Sequence, residues 1–114
     1  MRDFAFRSGR AGVEMQVQMK TAGDSFVGTS KNISVGGLYV ATEKSFQVGD
    51  RLAVQFSLPE LDRTVSVDAE VRWIRAPAPS GAPGIGLRFL RLPIVSAIAI
   101  QEYVRRQDDD LTPS

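Results

Sequence analysis

The chain has 114 residues, 43% hydrophobic and 24% charged, the proportions of one globular domain, which exclude wholesale disorder, a fibrous repeat and a second independent core. It holds neither Cys nor His, and that removes disulfides, thiolate nucleophiles, Cys/His zinc sites, imidazole acid–base catalysis and any Ser-His-Asp triad. The 14 Lys and Arg against 13 Asp and Glu leave a formal charge of +1, so no global field gathers nucleic acid or anionic membrane, and an anion must meet a local patch.

The N-terminus supplies the first such patch. Arg2, Arg7 and Arg10 crowd the first ten residues against a single acid, Asp3, without the apolar centre of a secretory signal. Residues 1–12 read as a flexible basic arm and the protein as cytoplasmic. Val13, Met15, Val17 and Met19 then alternate with polar residues, the period of a strand with one face buried. Thr21 to Asp24 carries turn chemistry, and the β-branched and aromatic run from Phe26 to Ile33 returns as the second strand of a hairpin. Asn32 to Gly37 interrupts the extended run, and Leu38 to Ala41 resumes it.

Beyond a turn at Phe46 to Asp50, Leu52, Val54, Phe56 and Leu58 alternate until Pro59, which cannot donate to a sheet ladder. Val65, Val67, Ala69, Val71 and Trp73 form the longest alternation, which assigns Trp73 to the core. Ala76 to Pro83 is a stiff loop, and Ile85, Leu87 and Phe89 give a sixth strand. Pro93 suits a first helical turn and opens a helix from Ile94 to Arg106, with Arg105 and Arg106 near its end to complement the dipole. Apolar residues on more than one stripe require that helix to be well buried or to serve as a contact surface. Residues 13–106 are thus the folded unit and 107–114 an acidic tail. Leu92 to Gln101, the longest uncharged apolar stretch near the C-terminus, is about half what a bilayer-spanning helix needs, so no membrane insertion is expected. Six short strands and one helix indicate a mainly β protein, a small antiparallel barrel or sandwich with a helical appendage.

The segment richest in chemistry is Asn32-Ile33-Ser34-Val35-Gly36-Gly37. Adjacent glycines allow positive φ and a close approach by a planar ligand, while the Asn amide and Ser hydroxyl offer donors and acceptors. Alternatively Asn32 and Ser34 bind only their own backbone in a turn. Arg7 and Arg10 add two planar forks of donors, suited to phosphate or to the O6 and N7 edge of guanine; the plainer reading is a solvated arm. Asp108 to Asp110 reads as solvated tail before it reads as a cation site, so no metal is expected. Arg72, Arg75, Arg88 and Arg91 read as solvated strand edges before they read as a track for single-stranded nucleic acid, so no nucleic acid polymer is expected.

At these residues the sequence resembles the PilZ domain family over nearly its whole length. Asn32, Ser34 and Gly37 meet the family pattern of Asp or Asn, any residue, Ser, any two residues, Gly. Leu38-Tyr39-Val40, Ala69-Glu70-Val71-Arg72-Trp73 and Gly84-Ile85-Gly86-Leu87-Arg88-Phe89 are similar to the strands that follow it. The resemblance implies a six-stranded antiparallel β-barrel with a C-terminal α-helix. It further implies a non-catalytic receptor for cyclic di-GMP, without cofactor, that signals to a protein partner. Arg7, Arg10, Asn32, Ser34, Gly36 and Gly37 would then be the ligand-binding residues. The family's two arm arginines are separated by three residues, whereas two separate Arg7 from Arg10, so Arg10 keeps the register and Arg7 does not. The alternative on the same fold is a degenerate domain acting as a nucleotide-independent adaptor.

Overall fold

The computed structural model describes residues 11–77 and 81–111. Six strands, β1 (Ala11–Lys20), β2 (Ser25–Ser34), β3 (Gly37–Ala41), β4 (Arg51–Leu58), β5 (Arg63–Arg75) and β6 (Gly84–Leu90), precede one helix, α1 (Ile94–Leu111). All neighbouring strands are antiparallel, and the order β1-β2-β3-β6-β5-β4 closes on itself through β1 and β4. A barrel is therefore formed rather than a sandwich; the seam that closes it pairs residues 17–20 of β1 with 53–56 of β4, and residues 11–16 have no ladder partner on that side among the described residues.

The interior is made by the alternation that marks the strands. Val17 and Met19 of β1, Val54 and Phe56 of β4, Val65 and Ala69 of β5, and Leu87 and Phe89 of β6 all point inward and are buried. β4 ends at Pro59, and the chain turns through Glu60 and Asp62, both with positive φ, into β5. Ala97 N–H donates to the Pro93 carbonyl, so the proline stands at the first turn of α1 as its fixed φ allows. α1 packs on β1 and β2, burying Ala99, Ile100, Tyr103 and Val104 in the barrel's core cluster.

Three local expectations are corrected. β2 does not break at Asn32: it pairs with β3 through Ser34↔Gly37, leaving Val35 and Gly36 as the whole turn. Gly49 is the described glycine with positive φ, so Gly36 and Gly37 are not there for a left-handed backbone. α1 continues through Asp108–Asp110 to Leu111, which leaves Arg105 and Arg106 inside the helix, and its last turn holds no basic residue. Those two arginines pair with Glu102 one turn back instead of facing the terminal carbonyls. Among the described residues no helix is long and apolar enough to cross a membrane.

Candidate functional site

The closing of the barrel lays outward residues of neighbouring strands side by side in rows. Asn32 and Ser34 flank buried Ile33 and so face outward. From Asn32 one row runs through Tyr39 and Gly86 to Trp73, and from Ser34 another runs through Gly37 and Arg88 to Glu70. The polar motif therefore borders two further groups that are distant in sequence.

The first group is aromatic. Trp73 is 50% exposed and stacks on Tyr39 with ring centroids 5.2 Å apart and planes 17° from parallel. Assigning Trp73 to the core was an error of phase. The β5–β6 register shifts between Val71 and Trp73, so a bulge takes up one residue and the tryptophan moves to the outer face. Phe89, by contrast, is in the core as the alternation requires. The rings lie on a floor of glycines: a Cβ at Gly84 would meet the Tyr39 hydroxyl, and one at Gly86 would meet the Trp73 indole nitrogen. The Tyr39 hydroxyl points to the Ala82 carbonyl at 3.5 Å.

The second group is charged. One oxygen of Glu70, whose side chain is largely buried, lies 3.6 Å from Arg88 and 3.7 Å from Arg72. Both guanidinium groups are more than half exposed, so each has donors left for a ligand. Arg72 and Arg88 thus belong to a compact cluster. Arg91 lies elsewhere, and Arg75 reaches toward Gly81, so the four do not form a continuous track.

Within the motif, Ser34 Oγ accepts the Gly36 N–H at 3.2 Å, the turn-capping role that its side chain also allowed. The Asn32 carbonyl accepts the Ser30 hydroxyl at 3.1 Å. Gly36 is exposed, and its carbonyl accepts the Phe89 N–H at 2.9 Å. Gly37 is required by a close approach: a Cβ there would run into the backbone carbonyl of Leu87. Arg7 and Arg10 lie outside the described residues. Among those described, no group of three Asp, Glu, His or Cys side chains is placed to hold a metal ion.

Tyr39 was not singled out from the sequence, Arg88 was read as a solvated strand edge before a nucleic-acid track, and Trp73 was assigned to the core. One signal was present: adjacent Trp73 and Ile74 break the alternation, and Gly84 and Gly86 occupy alternate positions of the facing strand, leaving space that large rings can fill.

Comparison with known proteins bears on the fold and the family. No curated protein matches the chain. Among solved structures, the inhibitor of motility MotI/DgrA of Bacillus subtilis superposes with a TM-score of 0.82 at 26% identity, over 91% of this chain and 51% of that one. The PilZ domain of YcgR from Escherichia coli, solved with cyclic di-GMP, gives 0.72 at 18% identity over 89% of each chain. A YcgR crystal structure in complex with cyclic di-GMP gives 0.76 at 17% identity, over 89% of this chain and 45% of that one. The chain thus spans about half the length of MotI/DgrA and of that YcgR chain. The model of the PilZ domain matches residues 5–106, and the chain belongs to the PilZ domain family.

Proposed function

We propose that this chain is a non-catalytic receptor and adaptor for cyclic di-GMP, which it binds on the outer face of the barrel and reports to a protein partner. The observation that carries the proposal is the sharing of one face by Asn32, Ser34, the exposed ring of Trp73 and the Arg72–Glu70–Arg88 cluster. Cyclic di-GMP presents two guanine planes, two guanine edges and two phosphates. Trp73 offers a plane for stacking, Arg88 and Arg72 offer forks for phosphate or for O6 and N7, and the Asn32 amide offers a donor and an acceptor. Exposed Gly36 adds backbone without a side chain to obstruct the ligand.

The arm fits the same place by connectivity. Arg10 is bonded to Ala11, and Ala11 pairs with Ile33, the residue between Asn32 and Ser34. The chain therefore enters the barrel beside the motif at Ala11, and in this reading Arg10 and Arg7 contact the ligand. Without Cys or His, the face holds no thiolate or imidazole, and its ring plane and guanidinium forks are suited to recognition. The structural likeness to the YcgR domain solved with cyclic di-GMP supports the same ligand.

Calorimetric titration with cyclic di-GMP, with thermal melting beside it, tests the proposal. A saturable heat is expected, with a stabilisation of about 2.7 kcal/mol at a hundred times the dissociation constant. No heat and no melting shift at saturating ligand overturns it in favour of the nucleotide-independent adaptor. The shortened spacing of Arg7 and Arg10 is the observation that favours that second reading.

A further inference from the structure

The barrel carries a recess away from the motif, near the other end of β1. Its centre is the outward row Ser25, Lys20, Ala53, Asp68, Leu90, which crosses five strands from β2 to β6. A hollow of about 570 Å³ lies on this row, and an adjoining one of about 250 Å³ shares Lys20, Ala53, Asp68, Leu90 and Arg91 with it and adds Arg51.

The barrel's unpaired cations are concentrated here, with only Arg63 and Arg75 unpaired elsewhere on it among the described residues. Lys31 pairs with Glu14, Lys44 with Asp24, and Arg72 and Arg88 with Glu70. Lys20, Arg51 and Arg91 have no ion pair among the described residues, yet all three line the smaller hollow, against the single carboxylate of Asp68. Arg91 is held at φ 50, a backbone conformation side chains rarely adopt, where the chain leaves β6 for α1. The rest of the lining mixes polar Gln18, Ser25, Gln55 and Ser66 with apolar side chains: Val27 is 56% exposed on one rim, and Pro93 on the other leads into Ile94, 75% exposed.

We infer that this recess docks an extended acidic segment of a protein partner, with carboxylates on Lys20, Arg51 and Arg91 and an apolar side chain seated between Val27 and Pro93. The row is about 19 Å long measured around the curve of the closed barrel, so its straight reach is shorter and suits about four extended residues of a segment. The cations are spread over β1, β4 and the end of β6, which matches several spaced carboxylates better than one compact phosphate. β1 and β4 are paired with each other at this recess, so no strand edge is offered here, the segment's backbone must be met by side chains, and the amides of Gln18 and Gln55 line the hollow. The inference rests on the partner half of the function proposed above and names the surface that the partner reads.

The probe is a labelled acidic hexapeptide with four carboxylates around a leucine and a phenylalanine, followed by fluorescence anisotropy and by amide shifts of the isotopically labelled full chain. No nucleotide is present, so failure here leaves the cyclic di-GMP reading standing, and failure of the nucleotide titration leaves this site standing. Shifts are expected at Lys20, Ala53, Asp68 and Leu90. The pair Lys20→Glu with Arg91→Glu should weaken binding at least about tenfold, Asp68→Asn should strengthen it, and Arg63→Glu, outside the recess, should leave it unchanged. Thermal melting of each variant separates lost binding from lost folding. Shifts centred on another face, or binding that survives the double reversal in a folded variant, overturn the inference. Displacement of the peptide by equimolar inorganic phosphate also overturns it, because the recess would then be a simple anion site.

Discussion

The two outer surfaces of the barrel meet their charges and their floors in opposite ways. Beside the motif, Arg72 and Arg88 are drawn together by Glu70, and Trp73 lies flat on Tyr39 against Gly86, where a side chain would collide with the indole. Among the described residues no carboxylate lies within ion-pair distance of Lys20, Arg51 or Arg91, and the lining mixes polar side chains such as Gln18 and Gln55 with apolar ones. A rigid planar ligand is best served by the first arrangement, because a ring already stacked loses little freedom when a base lands on it. An extended peptide is served by the second, since long flexible side chains can follow carboxylates whose positions vary. Preorganisation and adaptability are thus divided between two regions of one small barrel.

The largest expected effect breaks the motif face at its floor. Gly37→Ala places a methyl against the Leu87 carbonyl, and backbone on both sides must shift to admit it. A destabilisation of about 3 kcal/mol is expected, at the upper end of small-to-large substitutions, lowering the melting temperature by roughly 10–20 °C. An unchanged melting curve would show that β3 and β6 do not lie as close as described.

Three substitutions sharpen the comparison without altering a glycine. Trp73→Ala removes a half-exposed ring, so the fold should lose no more than about 1.5 kcal/mol, whereas cyclic di-GMP binding should lose about 1–3 kcal/mol of stacking. A melting temperature lowered as far as in Gly37→Ala, with affinity intact, would make the aromatic pair structural. Arg10→Ala should cost about 1.5–3 kcal/mol of binding and Arg7→Ala less, because Arg10 keeps the family's distance from β1. Equal losses in calorimetry would mean that Gly9 restores the register.

What could be read from the sequence divides along the same line. The barrel interior was legible because inward positions of a closed sheet must be apolar at every second residue, and Val65, Val67, Ala69 and Val71 say so directly. The motif residues were legible by type. Their neighbours were not, because Arg88 and Trp73 reach Ser34 and Asn32 only through inter-strand register. One bulge after Val71 was enough to turn the strongest alternation in the chain to the wrong face at its last residue. The end of α1 was hidden for another reason: three consecutive Asp oppose the helix dipole and read as tail, although the helix continues through them.

A smaller effect is expected at the turn itself. Ser34 Oγ is engaged by the Gly36 N–H, so Ser34→Ala removes a neutral hydrogen bond worth about 1 kcal/mol of stability. Its effect on cyclic di-GMP affinity should be smaller than that of Arg10→Ala. The reverse order in calorimetry would move the weight of binding from the arm to the turn.

The smallest effect lies on α1, where neither surface is involved, and it separates charge pairing on the helix from charge pairing at a site. Hydrogen bonds from Arg105, at 2.7 and 3.2 Å, and from Arg106, at 2.8 Å, hold the Glu102 carboxyl at about 2, well below the usual carboxylate range. A carboxyl whose pKa is depressed on folding stabilises the folded state at pH values above its unfolded pKa, roughly 4.3. That contribution declines as pH falls toward 2 and vanishes below it, when Glu102 is protonated in both states. Because the group is solvent-exposed, the pair is screened, and added salt should shrink the contribution further. Melting curves of the native chain and of Glu102→Gln should therefore differ slightly at pH 7, converge between pH 4.5 and about 2, and converge at pH 7 in high salt. A difference that persists at pH 2 would mean that Glu102 acts through packing of its aliphatic stem on the helix rather than through its charge.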